Sequence, residues 1–179
     1  MEIKEKVGFK TEWRIDKFKD PSDSIAKALE NGMRVEEAIV GACENFVGSE
    51  VFGGNVGLNE GLQELIDIIC GLDTPTKWDN GNARLGVGDG TGAADAAQTG
   101  LLGTNKTFKA MDSGYPQRSD QTAEWRATFG SGEGNHAWEE FTVVNAADDT
   151  GKNLNRKVES KGTKASGETW TLSLKISFS

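Results

Sequence analysis

Histidine and tyrosine each occur once in this 179-residue chain, cysteine twice and proline three times. Cys43 and Cys70 make no Cys-x-x-Cys pair and have no histidine nearby, so a cysteine metal site or redox motif is not expected. A disulfide between them is open, but nothing demands one. Cys43 in an apolar helical stripe and Cys70 at a helix end both read as small core groups. No apolar run is long enough to span a membrane as a helix, and the opening Met-Glu-Ile-Lys-Glu-Lys lacks the apolar centre of a signal peptide. The expectation is a protein made and used in a cytoplasm, without a membrane partner. Basic residues are also in deficit, 20 Lys and Arg against 28 Asp and Glu, a net charge of −8. Phosphate binding needs clustered Lys and Arg, so nucleic acid is not an expected partner either.

What is abundant is glycine, 23 residues, together with five tryptophans in a chain only 36% apolar. Many glycines with little proline fit short strands joined by turns. The chain is organised around its last eleven residues, Thr169 to Ser179, in which Trp170, Leu172, Leu174, Ile176 and Phe178 occupy alternate positions. Successive strand side chains point to opposite faces, so this predicts a strand with one dry and one wet face. Such a face needs a facing sheet or helix. The same alternation in Val7, Phe9, Thr11, Trp13 and Ile15 predicts a second strand, at a sheet edge given its lysines.

Asp20-Pro21-Ser22 stops that strand and starts a short helix ended by Asn31-Gly32. Val35, Ala38, Ile39, Ala42, Cys43 and Phe46 then fall at helical spacing, so Ser22 to Phe46 reads as a helical insertion. A short strand is expected at Glu50–Phe52. Asn59 as N-cap, the stripe Leu62, Leu65, Ile66, Ile69 and a closing Gly71 predict the best helix of the chain, laid on one face or end of a sheet. Beyond Thr74-Pro75, strands are predicted at Ala83–Val87, Thr107–Met111, Thr122–Phe129, Trp138–Asn145 and Leu154–Glu159. The fold class implied is mainly β: an antiparallel β-sandwich with one packed helix and a small N-terminal helical insertion. Residues 1–58 hold the N-terminal strand and insertion, as part of the same domain or a small annex, and residues 59–179 hold the helix and sandwich.

Few stretches suggest chemistry. Gly88, Gly90 and Ala93 match G-x-G-x-x-A, with Asp112 further on, but a dinucleotide site needs a following helix and a parallel strand. Thr99-Gly100 and Gly103 curtail any helix there, and a glycine-rich turn is the expected structure. Asp79, Asn80, Asn82, Asp89 and Asp95 carry calcium-type oxygens in no EF-hand order, and Asx residues beside glycines are turn formers. His136 stands at a strand entrance without a recognisable nucleophile and acid. Glu139 and Glu140 are adjacent, hence on opposite faces of a strand. Trp13, Trp78, Trp125, Trp138 and Trp170 could form a sugar platform if exposed, though core is the default place for tryptophan in alternating strands. No catalytic, cofactor-binding or metal-binding residues are assigned.

Several segments follow one another along the second half of the chain. They are Ala83-Arg-Leu-Gly-Val-Gly-Asp-Gly90, Lys109 to Pro116, Trp125-Arg-Ala-Thr-Phe-Gly130, Ala137 to Asn145, Leu154-Asn-Arg-Lys-Val158, and Gly162 to Leu172 with its Thr-Trp-Thr-Leu ending. In this order they resemble a group of small tailed-bacteriophage structural proteins, from Asn59 to Ser179; the helical insertion departs from the plainer N-terminal strands of that group. The resemblance implies a non-enzymatic virion protein without catalytic residues or cofactors, made in the bacterial cytoplasm and carried on the particle. A capsid decoration or cement protein that bridges shell subunits is the favoured form, and a tail, collar or fibre part is the variant. The implied partners are the major capsid protein or other virion proteins and further copies of the chain, a trimer or similar ring. The N-terminal strand, as an edge, and the helical insertion are the expected contacts. On that expectation, deleting residues 1–18 would abolish attachment and leave the sandwich folded. A carbohydrate-binding module and a small enzyme with a scattered site remain the alternatives.

Overall fold

The structure, a computed structural model, describes residues 9–178. Val7 and Gly8 of the expected first strand, and Ser179 of the last, lie outside them. One five-stranded sheet has the order β2 (Phe46–Gly53), β1 (Phe9–Lys19), β10 (Glu168–Phe178), β7 (Thr122–Phe129) and β6 (Gln117–Ser119). The other has the order β3 (Val56–Gly57), β9 (Asn155–Val158), β8 (Glu140–Val144), β4 (Arg84–Gly88) and β5 (Lys106–Ala110). Every pairing is antiparallel, and the two sheets pack on each other as a β-sandwich.

The core follows from the alternation in the strands. Trp13 and Ile15 of β1 stand opposite Leu174 and Leu172 of β10, which in turn stand opposite Trp125 and Ala127 of β7. From the second sheet come Leu85, Val87, Phe141 and Val143, all fully buried. Large rings bridge the layers: Trp13 lies 5.8 Å from Phe141, and Trp138 lies 4.8 Å from Phe129 and 4.9 Å from Trp170. Such tilted and edge-to-face contacts add to simple area burial.

The first strand is not at an edge. β1 runs between β2 and β10, and its pairing with β10 extends from Phe9 opposite Phe178 to Lys19 opposite Glu168. The edge is taken by β2, longer than the expected Glu50–Phe52, and Phe46 belongs to it. The helical spacing from Val35 to Phe46 therefore over-reaches: α2 (Val35–Gly41) ends at its glycine, and residues 42–45 turn back into the sheet. The competing force is strand pairing. Lys19 N–H donates to the Asn45 carbonyl and the Asn45 side-chain amide donates back to the Lys19 carbonyl, closing β2 onto β1.

The wet face predicted for the terminal strand is dry over most of its length. Thr169, Thr171 and Ser173 are buried, because α1 (Ser24–Glu30) and α2 cover the outer face of the first sheet. Phe18, Leu29, Val35 and Ala38 form a second small core there. Cys43 and Cys70 are both exposed, contrary to the expected core positions, since one lies in the turn after α2 and the other at the end of α3 (Asn59–Cys70).

Placing β1 in the sheet interior reverses the expected effect of truncation. A chain lacking residues 1–18 loses Trp13, Ile15 and Phe18 and the partner of both β2 and β10. It is expected to show no cooperative thermal transition and no native near-ultraviolet tryptophan signal. A truncated chain that keeps both would contradict this arrangement.

Candidate functional site

The outer face of the first sheet carries a cleft of about 320 Å³, walled by Gly32–Glu36 of the insertion and by Tyr115. Strand alternation places Glu12, Arg14 and Asp16 of β1, Ser173 and Lys175 of β10, and Glu124 and Arg126 of β7 on its floor. Arg14 donates twice to Asp16 Oδ1, at 3.0 and 2.8 Å, and lies 3.6 Å from Glu36. Asp16 Oδ1 also accepts from the Ser49 hydroxyl, while Oδ2 is buried without a partner. Lys175 is 3.8 Å from Glu124, whose pKa burial pushes up against that lysine's pull. Floor and walls are thus a patchwork of paired charges.

Behind the cleft lies the joint that holds the insertion. Arg126 Nε donates to Asp112 Oδ2 at 2.7 Å, and its Nη2 donates to the carbonyls of Leu29 and Met33, both at 2.9 Å. Asp112 accepts further bonds from the Thr128 amide and hydroxyl. Burial raises Asp112 to about 6 while the Arg126 guanidinium and Thr128 pull it back, so it is ionised at neutral pH. At the other end of α1, the Asp20 carboxylate accepts from the amides of Ser24, Ile25 and Ala26, which places a negative charge on the positive end of the helix. Sequence reasoning saw Asp112 only as a possible ribose ligand, and missed Arg126 because it sits mid-strand on the face expected to be wet.

The glycine run resolves differently from a nucleotide loop. β4 is flanked by β8 and β5, antiparallel to both, and residues 93–98 form turns and no helix. The anion within reach of these glycines is the chain's own Glu140. It accepts from the amides of Gly90, Leu102 and Gly103 at 3.2, 3.0 and 2.6 Å. Arg156 Nε donates to it at 2.8 Å, with Nη2 at 2.6 Å from the same oxygen. A Cβ on Gly90 would lie 2.6 Å from Glu140 Oε1, so this approach requires glycine. Arg156 Nη1 completes the loop by donating to the carbonyls of Gly92 and Ala93.

The other sequence candidates are turn formers or core. Asp79 accepts from the Asn82 amide and side chain, Asp89 from Asn105, and Asp95 from the Ala97 amide. Asn80 donates to the carbonyls of Asp112 and Tyr115. Among the described residues, acidic, histidine and cysteine side chains form no cluster suited to a metal ion. His136 Nδ1 donates to the Ala137 carbonyl at 2.9 Å, and Nε2 lies 3.1 Å from the Thr107 hydroxyl. Glu139 and Glu140 do part: the first accepts from Ser160, the second is fully buried. All five tryptophans are buried, the most exposed at 8%, so none is available as a sugar platform.

The remaining surface feature is α3. Gly71 closes it as expected, and its N-cap is Leu58, one residue before the predicted Asn59. Its predicted stripe does not face the core. Leu62, Ile66 and Ile69 are exposed, with Leu72 just beyond. The face toward the body is instead Gly61, with Glu60 bonded to Asn153, Glu64 bonded to the Thr76 amide and Asn145, and Ile68 against the core. A Cβ on Gly61 would lie 2.4 Å from the Asn153 carbonyl oxygen and Leu154 Cα, so the helix rests on backbone at that point. Comparison with protein-family models, curated proteins and solved structures gives no match.

The joint behind the cleft makes a direct prediction. Arg126→Ala leaves Asp112 as a buried unpaired charge and two helix carbonyls without donors, and is expected to cost about 3–5 kcal/mol. Denaturant unfolding measures this loss, and hydrogen exchange should show residues 24–41 opening first. A change below about 1 kcal/mol would mean that the pair does not hold the insertion.

Proposed function

We propose that this chain is a non-enzymatic structural protein of a tailed-bacteriophage particle, attached to the capsid surface as a decoration or cement protein. The observation that carries this reading is where the resembling segments fall. They coincide with β4, the end of β5 and the turn after it, the second part of β7, β8, β9 and the first half of β10, which is most of the second sheet and part of two strands of the first. The order of pieces that resembles phage structural proteins is therefore the order of the sandwich's own strands. The insertion lies outside the resembling region, where one scaffold would be adapted to a particular attachment point.

The mechanism is burial of surface across joints between shell subunits, so that opening the shell also breaks those contacts. In this reading the N-terminal strand no longer serves as the contact edge. β1 is interior, so strand addition on this side of the first sheet would use its edge strand β2, where Val47 and Val51 are exposed. Copies of the chain arranged as a trimer or similar ring would match the symmetry of a shell. In this reading the carboxylates bind backbone amides and guanidinium groups of the protein itself, and His136, held between a carbonyl and a hydroxyl, performs no acid–base work. The protein is made in the host cytoplasm and carried on the virion.

Quantitative mass spectrometry of purified particles tests the proposal. A copy number comparable with that of the major shell protein is expected. A small fraction of it would place the chain in the tail, collar or fibre, and absence from the particle would overturn the virion reading.

A further inference from the structure

The stripe on α3 is apolar and exposed. Leu62, Ile66 and Ile69 are 40, 54 and 74% exposed, at positions three or four apart along one side of the helix, and Leu72, just past the closing Gly71, is 52% exposed. The helix is not loosely seated. Gly61 rests against the backbone of residues 153–154, Glu60 accepts from the Asn153 amide at 2.8 Å, and Glu64 accepts from the Thr76 amide at 2.6 Å. These contacts fix its rotation and turn the apolar stripe outward. Contiguous exposed aliphatic surface of this kind on a soluble protein marks an interaction site.

The charges of the helix decide what covers it. From residue 58 to residue 73 the charged residues are Glu60, Glu64, Asp67 and Asp73, with no Lys or Arg. Lys152 and Lys77 adjoin Asn153 and Thr76, the residues that bind Glu60 and Glu64. The rim beyond Ile66 is therefore set by Asp67 and Asp73. A second copy docked through the same face would bring no Lys or Arg of its own α3 to Asp67 and Asp73. A lipid surface is equally unsuited, because helices that lie on membranes carry Lys and Arg beside their apolar face.

We infer that this face of α3 is a docking surface for a basic amphipathic segment of a partner protein, whose apolar ridge packs on Leu62, Ile66, Ile69 and Leu72 while its Lys and Arg meet Asp67 and Asp73. Helix-in-groove and helix-on-helix recognition use anchors at this spacing. The inference rests on the attachment reading only for the partner's identity, since the face and its chemistry stand on the helix alone.

An amphipathic helical peptide of leucine and lysine is the probe, with a leucine–glutamate peptide as its counterpart, titrated into the full-length protein. The lysine peptide is expected to bind, to weaken as salt is raised, and to lose at least about tenfold in affinity to an Ile66→Ser/Ile69→Ser variant. That double change leaves every charge in place, and an unchanged melting temperature will show that it leaves the fold intact. Equal binding to the variant, or equal binding of the two peptides, would overturn the inference. So would self-association of the free protein that the variant abolishes, which would make the occupant a second copy. The assay uses no particles, so its failure and the failure of the virion reading are seen separately.

Discussion

The antiparallel pairing of β1 with β10 is the contact on which the rest of the molecule depends. Each strand is eleven residues long and they pair along their whole length. β1 carries β2 on its far side and β10 carries β7, so the first sheet grows outward from this pair. Its inner face supplies Trp13, Ile15, Trp170, Leu172, Leu174 and Ile176 to the central core. Its outer face is the floor on which the helical insertion sits, and Thr171 there meets Thr128 at 3.1 Å. A register slip of one residue would exchange these two faces and ruin both cores at once.

A second constraint acts through carboxylates. Asp20 caps α1, Asp112 anchors Arg126, Glu140 gathers the glycine-rich loop, and Glu60 and Glu64 seat α3. In each case backbone amides or a guanidinium supply the donors, and charge-assisted bonds of this kind are about twice as strong as neutral ones. Part of the acidic surplus is therefore internal scaffolding that fixes loops and helices onto the sandwich.

The strands were legible because their period of two survives in the sequence. Thr122–Phe129 was predicted with the bounds the structure gives it, and the terminal strand begins one residue earlier than predicted, at Glu168. The boundary failures have physical causes. Phe46 continued a helical spacing, but closing β2 onto β1 offered its backbone a better partner. The inner position of β1 could not be read from its lysines, since Lys17 reaches over the Trp170 ring at 4.1 Å and bonds Glu50. The outward turn of α3 was hidden for another reason. Periodicity locates an apolar stripe but does not say which way it faces, and the deciding contacts, from Gly61 to residues 153–154, join segments distant in sequence. Arg126 and Glu140 were invisible in the same way, as buried charges whose partners lie elsewhere along the chain.

Native-state hydrogen exchange tests most directly whether the β1–β10 pair is the centre of the fold. The amides of β1 and β10 are expected to exchange only through global unfolding, with matching free energies, while α1 and α2 exchange through smaller openings. A β1 that opened together with β2 and the insertion, leaving β10 and β7 protected, would contradict this account.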